Sequence, residues 1–303
     1  MMPPAMTRTR TRPLTPLRAW ATHPRAFGAR AAGFVAAAVI AAGFVGAGLV
    51  GAGFVSPAFA QSTAPSAATD LPAATAPAAA RTPPALAPFT ATYEAFRQGA
   101  RAGNAKLRVV RTGEAGGGAR WRVDLDIQGD RGFAGVIGLN LQQSTVFEAD
   151  TAGFRPISQS TVRKGLFLGK KIVGVYDWGR GSAQWRGDLK AKHRAPVPLR
   201  AGDMSGLLIN LAIVRDAQPD AMLQYRFVDG GRARDHLYRV AAAPEPMSAG
   251  ELSFETLRVA RTNGGNDETL VWVADGVPTP IRILQREDGE DAIDLRLIQY
   301  EGQ

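Results

Sequence analysis

Residues 121–127 read Trp-Arg-Val-Asp-Leu-Asp-Ile, with apolar side chains at the odd-numbered positions and charged ones at the even-numbered positions. This period of two is typical of a β-strand with one buried face, and strands of this kind favour an antiparallel sheet. The same alternation recurs in residues 89–95, 105–109, 223–227, 281–283 and 293–297. Between these runs lie turn dipeptides such as Asn263-Gly264 and Asp288-Gly289, which supply the positive φ of tight hairpins.

One segment has a helical period instead. The residues at this spacing are Asp203, Met204, Leu207, Leu208, Leu211 and Val214. Asp203 is predicted as the N-cap, with Ser205 in the first turn. The sequence therefore predicts a mainly β protein: a single curved antiparallel sheet, either a half-barrel or an open barrel, of about 10–12 strands with one amphipathic helix.

The composition excludes several kinds of stabilisation and chemistry. The chain has 303 residues, is 45% hydrophobic and contains no cysteine. This length suffices for a hydrophobic core without metal or disulfide support. The lack of cysteine excludes disulfides, thiolate nucleophiles, sulfur-based zinc sites and an acyl-cysteine anchor.

The first 60 residues are predicted to be an export signal. They carry six arginines and no acidic residue, and no charge occurs from Ala31 to Ala60. The sequence Ala58-Phe59-Ala60 fits cleavage by signal peptidase after Ala60. The apolar run Ala31–Val55 is long enough to span a bilayer, so a retained N-terminal membrane anchor is the alternative. Both interpretations place the remaining chain in the periplasm.

The rest of the chain divides into two parts. Residues 61–88 contain 11 alanines and 6 prolines, and this composition predicts a disordered linker. Residues 89–303 hold all the alternating segments and form one β-rich exported domain. Without the first 60 residues the chain has 30 basic and 27 acidic residues, so most of the net charge of +9 belongs to the leader.

Several short motifs resemble one family of exported bacterial proteins, the domain-of-unknown-function family 3108. They are the Tyr93 strand followed by Gly99 and Gly103, the turn Gly153-Phe154-Arg155-Pro156, the segment Asp203-Met204-Ser205-Gly206-Leu207-Leu208, Trp272 followed by Pro280-Ile281-Arg282-Ile283, and Leu295. The resemblance implies an antiparallel half-barrel in the cell envelope. It implies no catalytic residues.

No motif predicts an enzyme or a cofactor. Ser205 lies one position late for a nucleophile elbow, and the only histidines after the leader, His193 and His236, are interpreted as surface residues. These histidines lack the carboxylate spacing of a zinc-protease motif. A hydrolase centred on Ser205 and His236 is the weakest of three functional hypotheses.

The distribution of charge is more informative. Residues 163–200 contain ten basic and two acidic residues, whereas residues 201–303 contain 10 basic and 17 acidic residues. Cations beside exposed aromatic rings suit anionic lipid headgroups or acidic glycans. The predicted binding residues are Lys164, Lys170, Lys171, Arg180 and Arg186, with Trp178 and Trp185 as apolar contacts.

The leading hypothesis is a non-enzymatic envelope protein whose concave face or basic rim binds an anionic lipid or an envelope glycan. Export argues against nucleic acid as a partner. The alternative function is an interaction or assembly factor whose basic segment faces an acidic periplasmic protein. A further alternative is structural: the basic segment is a solvated face or pairs with the acidic C-terminal strands.

Overall fold

The structure of the chain is a computed structural model that describes residues 81–115, 118–130, 140–151, 153–164 and 169–302. The predicted signal peptide and residues 61–80 of the predicted linker lie outside these ranges. Within the ranges there are sixteen strands, one α-helix and one 3-10 turn, Ala191–His193. No helix in this part of the chain is long and apolar enough to cross a membrane.

The bounds of the elements follow chain order. They are β1 (Phe89–Arg97), β2 (Ala100–Ala115), β3 (Gly118–Gly129), β4 (Asn140–Asp150), β5 (Gly153–Lys164), β6 (Lys170–Asp177), β7 (Ser182–Gly187), β8 (Val197–Pro198), β9 (Asp203–Met204), α1 (Gly206–Asp216), β10 (Met222–Asp229), β11 (Arg232–Val240), β12 (Glu245–Ala249), β13 (Leu252–Arg261), β14 (Glu268–Ala274), β15 (Arg282–Glu287) and β16 (Glu290–Gly302).

All sixteen of these strands belong to one open sheet. Its order is β8-β7-β6-β5-β4-β3-β2-β1-β16-β15-β14-β13-β11-β10-β9, and β12 pairs with β13 beside this path. The β9–β10 pair is parallel, and the other pairs are antiparallel, as the hairpin connections require. The mainly β class and the single open antiparallel sheet are therefore confirmed, but sixteen strands exceed the predicted 10–12.

The predicted number of strands is too low because several strands lack apolar alternation. In β4 and β5 the inward positions include the polar residues Gln143, Thr145 and Gln159. β8 and β9 have only two residues each. In contrast, Trp121, Val123, Leu125 and Ile127 of β3 are all buried in the main core, as the alternation predicts.

The helix α1 fills the concave side of the sheet. It contacts β3, β4, β5, β10 and β14, and every residue from Gly206 to Val214 is buried. The predicted single helix is therefore confirmed, but protein surrounds it on all sides, so it is buried along its length rather than on one face. Its N-cap position is Ser205 rather than Asp203, since Asp203 belongs to β9 and pairs with Arg226.

Side chains join the two halves of the open sheet where no backbone ladder does. Gln159 of β5 donates a hydrogen bond to Asp229 of β10. The Tyr176 hydroxyl of β6 lies 2.6 Å from the Val228 carbonyl oxygen and 2.5 Å from Gln159 Oε1. A second core forms here, in which Trp185 and Tyr176 pack with Val228.

Gly174 permits this second core to form. A Cβ at position 174 would overlap the Trp185 indole. We therefore expect Gly174→Ala to lower the free energy of unfolding by about 2 kcal/mol, because the indole must leave a packed position. Gly179→Ala in the same hairpin is the matched control, because its Cβ would meet only Asp177 Oδ1 at 3.5 Å. Urea unfolding of both variants measures the difference, and equal stabilities would contradict this account of Trp185 packing.

The folded part of the chain begins before the predicted domain boundary at Phe89. Residues 81–88 have no helix or strand, but Arg81 is held firmly by the end of α1. Its guanidinium donates to the Ala217 carbonyl oxygen at 2.8 Å and to the Ala274 carbonyl oxygen at 2.9 Å. Its backbone N–H donates to Gln218 Oε1 at 2.7 Å. The end of the predicted linker thus satisfies carbonyls that the helix C-terminus leaves free.

Candidate functional site

Three of the predicted cations lie together on the solvent-facing side of β5–β7. In the strand register Val162 is opposite Lys171, and Val173 is opposite Arg186. Lys164 is two residues beyond Val162, so its side chain shares that face. Lys164, Lys171 and Arg186 are all exposed. We call this surface the β5–β7 face.

Exposed valines supply the apolar part of the β5–β7 face. Val173 is 37% exposed and Val175 is 55% exposed. Their partners in β5 are Ser160 and Ser158, whose small side chains leave the valines accessible. The surface is therefore an apolar strip with cations at its side and end.

Four of the predicted cations, including the three of this face, form no ion pair in the part of the chain that the structure describes. Among the described residues, Lys164, Lys170, Lys171 and Arg186 have no ion pair with a carboxylate. Several acidic residues of the C-terminal strands pair with their own neighbours instead, although Glu287 and Asp229 lie near Arg163 of the basic segment. These pairs are Arg258–Glu245, Arg286–Glu268, Arg286–Asp291, Arg282–Asp294 and Arg296–Asp294. The structure therefore does not pair these four cations with the acidic half of the chain.

One carboxylate lies close to the face. Asp188 accepts a hydrogen bond from the Lys171 backbone N–H at 2.7 Å. It compensates part of the charge of Lys171 but forms no ion pair with the Lys171 ammonium.

The other two predicted cations lie elsewhere. Lys170 is opposite Arg163 in the register, which assigns it to the other side of β6 at the end of the hairpin. Arg180 lies in the β6–β7 turn, where its Nε is 3.6 Å from Asp177 Oδ2. Neither residue belongs to the β5–β7 face.

The two predicted tryptophans have structural contacts. Trp185 is 1% exposed and packs edge to face on Tyr176, with 5.5 Å between ring centroids. Trp178 is partly buried, and its Nε1–H donates to the Pro156 carbonyl oxygen at 2.6 Å. The exposed apolar contacts are Val173 and Val175, which the sequence analysis missed. For Trp185 the sequence did contain a signal: Ala183 and Trp185 alternate with Gln184 and Arg186, which predicts that Trp185 faces inward.

A small polar cavity lies beside the N-terminal end of α1. A cavity of about 10 Å³ is lined by residues that include Thr145, Gln159, Ser205 and Asp229, and this volume suits about one water molecule. Burial raises the pKa of Asp229 to about 6, although hydrogen bonding by Gln159 and the charge of Arg232 oppose the shift.

In the described ranges no hydrogen bond joins Ser205 and His236, the two residues of the hydrolase hypothesis. The Ser205 hydroxyl lies 2.9 Å from Thr145 Oγ1, whereas an activated serine needs an adjacent base. His236 is 1% exposed, so its interpretation as a surface residue is wrong. Burial, together with the charges of Arg261 and Arg234, lowers its pKa to about 3. In the described ranges, no three His, Cys, Asp or Glu residues are grouped as metal ligands.

A family model described as "Protein of unknown function (DUF3108)" matches residues 88–296. The chain belongs to the DUF3108 family. The DUF3108 match begins one residue before β1 and ends within β16, so it includes the helix and the β5–β7 face.

Among solved structures, the chain resembles a β-barrel-like protein of the DUF1849 family from Brucella abortus. The two share 12% sequence identity with a TM-score of 0.37, over 74% of this chain and 100% of the other. No curated protein sequence matches the chain.

Proposed function

We propose that this DUF3108 protein is a non-enzymatic protein of the cell envelope that binds an anionic amphiphile through the β5–β7 face. The observation that carries the proposal is a set of exposed cations, Lys164, Lys171 and Arg186, around two exposed valines. These cations form no ion pair with any carboxylate of the described residues. The predicted leader supports a periplasmic location, where anionic phospholipids are available.

The geometry suits a peripheral contact with a lipid surface. Each Lys or Arg near an anionic membrane contributes about 1 kcal/mol. The exposed valines can reach the boundary between headgroups and acyl chains, where burial of apolar surface adds to the attraction. Because α1 occupies the concave side, the proposal assigns binding to the outer face rather than to the interior.

Charge reversal on this face tests the proposal. We expect Lys171→Glu/Arg186→Glu to bind vesicles of equal parts phosphatidylglycerol and phosphatidylcholine at least about thirtyfold more weakly than the unchanged chain. The loss corresponds to two cations at about 1 kcal/mol each, and the added negative charges increase it. Sedimentation of the full chain with the vesicles measures the affinity.

The matched control reverses two exposed cations on another surface. Lys106→Glu/Arg108→Glu changes the net charge by the same amount on β2, and we expect vesicle affinity close to that of the unchanged chain. Equal losses in both variants would show that only net charge matters and would contradict the assignment to this face. A different result would favour the alternative of an interaction factor. In that case the unchanged chain does not bind the vesicles but can be crosslinked to one envelope protein, and Lys171→Glu/Arg186→Glu abolishes the crosslink.

A further inference from the structure

The inward face of β11 carries a row of basic side chains toward the β10–β11 turn. Arg232, Arg234 and His236 alternate along the strand and therefore share a face with Tyr238. Arg261 of β13 is opposite Tyr238 in the register. Two arginines from neighbouring strands, Arg234 and Arg261, are thus close enough to act electrostatically on one buried imidazole.

His236 is the polar group at the inner end of this row. Its ring stacks on Phe227, with a centroid distance of 4.9 Å and an angle of 16°. Its Nδ1 lies 3.4 Å from the Tyr238 hydroxyl. Its Nε2 is buried and has no hydrogen-bond partner among the described residues, and the same is true of Arg232 Nε.

The chemistry of this imidazole indicates what it lacks. Its lowered pKa keeps it neutral at pH 7, so one ring nitrogen carries a proton and the other does not. If the Tyr238 hydroxyl donates toward Nδ1, the proton of the ring is on Nε2. A buried N–H without an acceptor is unfavourable, and a negatively charged oxygen is the acceptor that the nearby arginines favour.

The acidic groups around the row leave it net positive. Asp229 is opposite Arg232 in the register, and Asp267 lies near Arg234 and Arg261, where it opposes the lowering of their pKa by burial. Arg232 and Arg261 in turn lower the pKa of Arg234. The three arginines are partly exposed, whereas His236 is buried.

We propose that this row is an anion-binding site. A phosphate or carboxylate group would accept a hydrogen bond from His236 Nε2–H and would contact the guanidinium groups of Arg234 and Arg261. Asn263 helps to hold one of these groups, because its Oδ1 lies 3.3 Å from Arg261 Nε. The site is separate from the β5–β7 face, and neither proposal rests on the other.

Nitrogen NMR of the histidine rings tests the site directly. The full chain is labelled with 15N-histidine, and its three histidines are observed while inorganic phosphate is added at pH 7. We expect a saturable shift of the His236 Nε2 resonance while His193 stays unchanged. In Arg261→Gln the affinity should fall at least about tenfold, because a charge-assisted contact is lost.

Two controls and a second probe make the result decisive. Arg239→Gln changes an exposed arginine on the opposite face of β11 and should bind phosphate normally, as should Lys171→Glu/Arg186→Glu. A shift with inorganic phosphate assigns a free anion, whereas a shift only with dihexanoyl-phosphatidylglycerol below its micelle concentration assigns a lipid headgroup. No shift with either probe, a shift of His193 alone, or undiminished binding in folded Arg261→Gln overturns the proposal.

Discussion

Replacing Arg226 by methionine is expected to lower the free energy of unfolding by about 3–5 kcal/mol, because it leaves a buried carboxylate without its counter-ion. Asp203 is 0% exposed. Arg226 Nη1 lies 2.6 Å from its Oδ1 and 2.5 Å from its Oδ2. Without Arg226, the hydrogen bond from the Arg200 backbone N–H at 2.8 Å is all that the described structure provides for this carboxylate.

Urea unfolding of the full chain measures this loss, and two further variants identify its cause. Asp203→Asn/Arg226→Met removes the unpaired charge and should recover part of the lost stability, because most of the penalty arises from the isolated carboxylate. Arg239→Met breaks an exposed pair with Asp220 and should change stability by less than about 1 kcal/mol. A loss in Arg226→Met no larger than that in Arg239→Met would refute the assignment.

The Asp203–Arg226 pair also explains why α1 begins later than the sequence predicts. The sequence placed Asp203 at the N-cap because an acidic residue before an apolar helix usually has that role. In the structure Asp203 and Met204 form β9 beside Arg226 and Phe227, and α1 begins two residues later. A partner 23 residues away in sequence leaves no local signal, so the pattern around Asp203 could not reveal it.

The strands that could be predicted are those whose inward face is uniformly apolar. The residues Phe89, Ala91, Tyr93 and Ala95 of β1 are all buried, and the alternation alone reveals such a strand. β5 lacks this alternation because its inward Gln159 bonds to Asp229 of β10 across the gap between the two halves of the sheet rather than packing in the main core. Polar residues that join the two halves of an open sheet break the pattern on which strand prediction depends.

The candidate sites, too, could be predicted only in part from the sequence. Charge counting identified the segment that contains Lys164, Lys171 and Arg186, but only the strand register assigns these residues to one face and Lys170 to the other. His236 was misjudged because histidine is often exposed. Its alternation with Tyr238 and Val240, both buried, was a usable signal for an inward position.

Replacing Asp229 by asparagine is expected to raise the free energy of unfolding at neutral pH by about 3 kcal/mol. Burial raises the pKa of this carboxyl from 3.8 to about 6, so the folded chain binds its proton more tightly than the unfolded chain does. This contribution to stability is fully present below pH 3.8 and is lost as the pH rises through 6. The difference between the two pKa values corresponds to about 3 kcal/mol. Asparagine keeps an acceptor for the Gln159 amide without the buried charge.

The signature of this effect is the pH dependence of the difference between variant and unchanged chain. His236 is expected to act in the opposite direction, since its pKa is lowered to about 3 and its contribution is gained as the pH rises. Subtracting the two curves cancels His236 and leaves Asp229. Urea unfolding at pH 5 and pH 7.5 should show a larger gain for Asp229→Asn at pH 7.5, while Asp235→Asn, an exposed change on β11, should show none. A gain in stability that does not grow with pH would contradict the prediction. It would mean that Arg232 and Arg163 already stabilise the Asp229 carboxylate, so that burial does not raise its pKa.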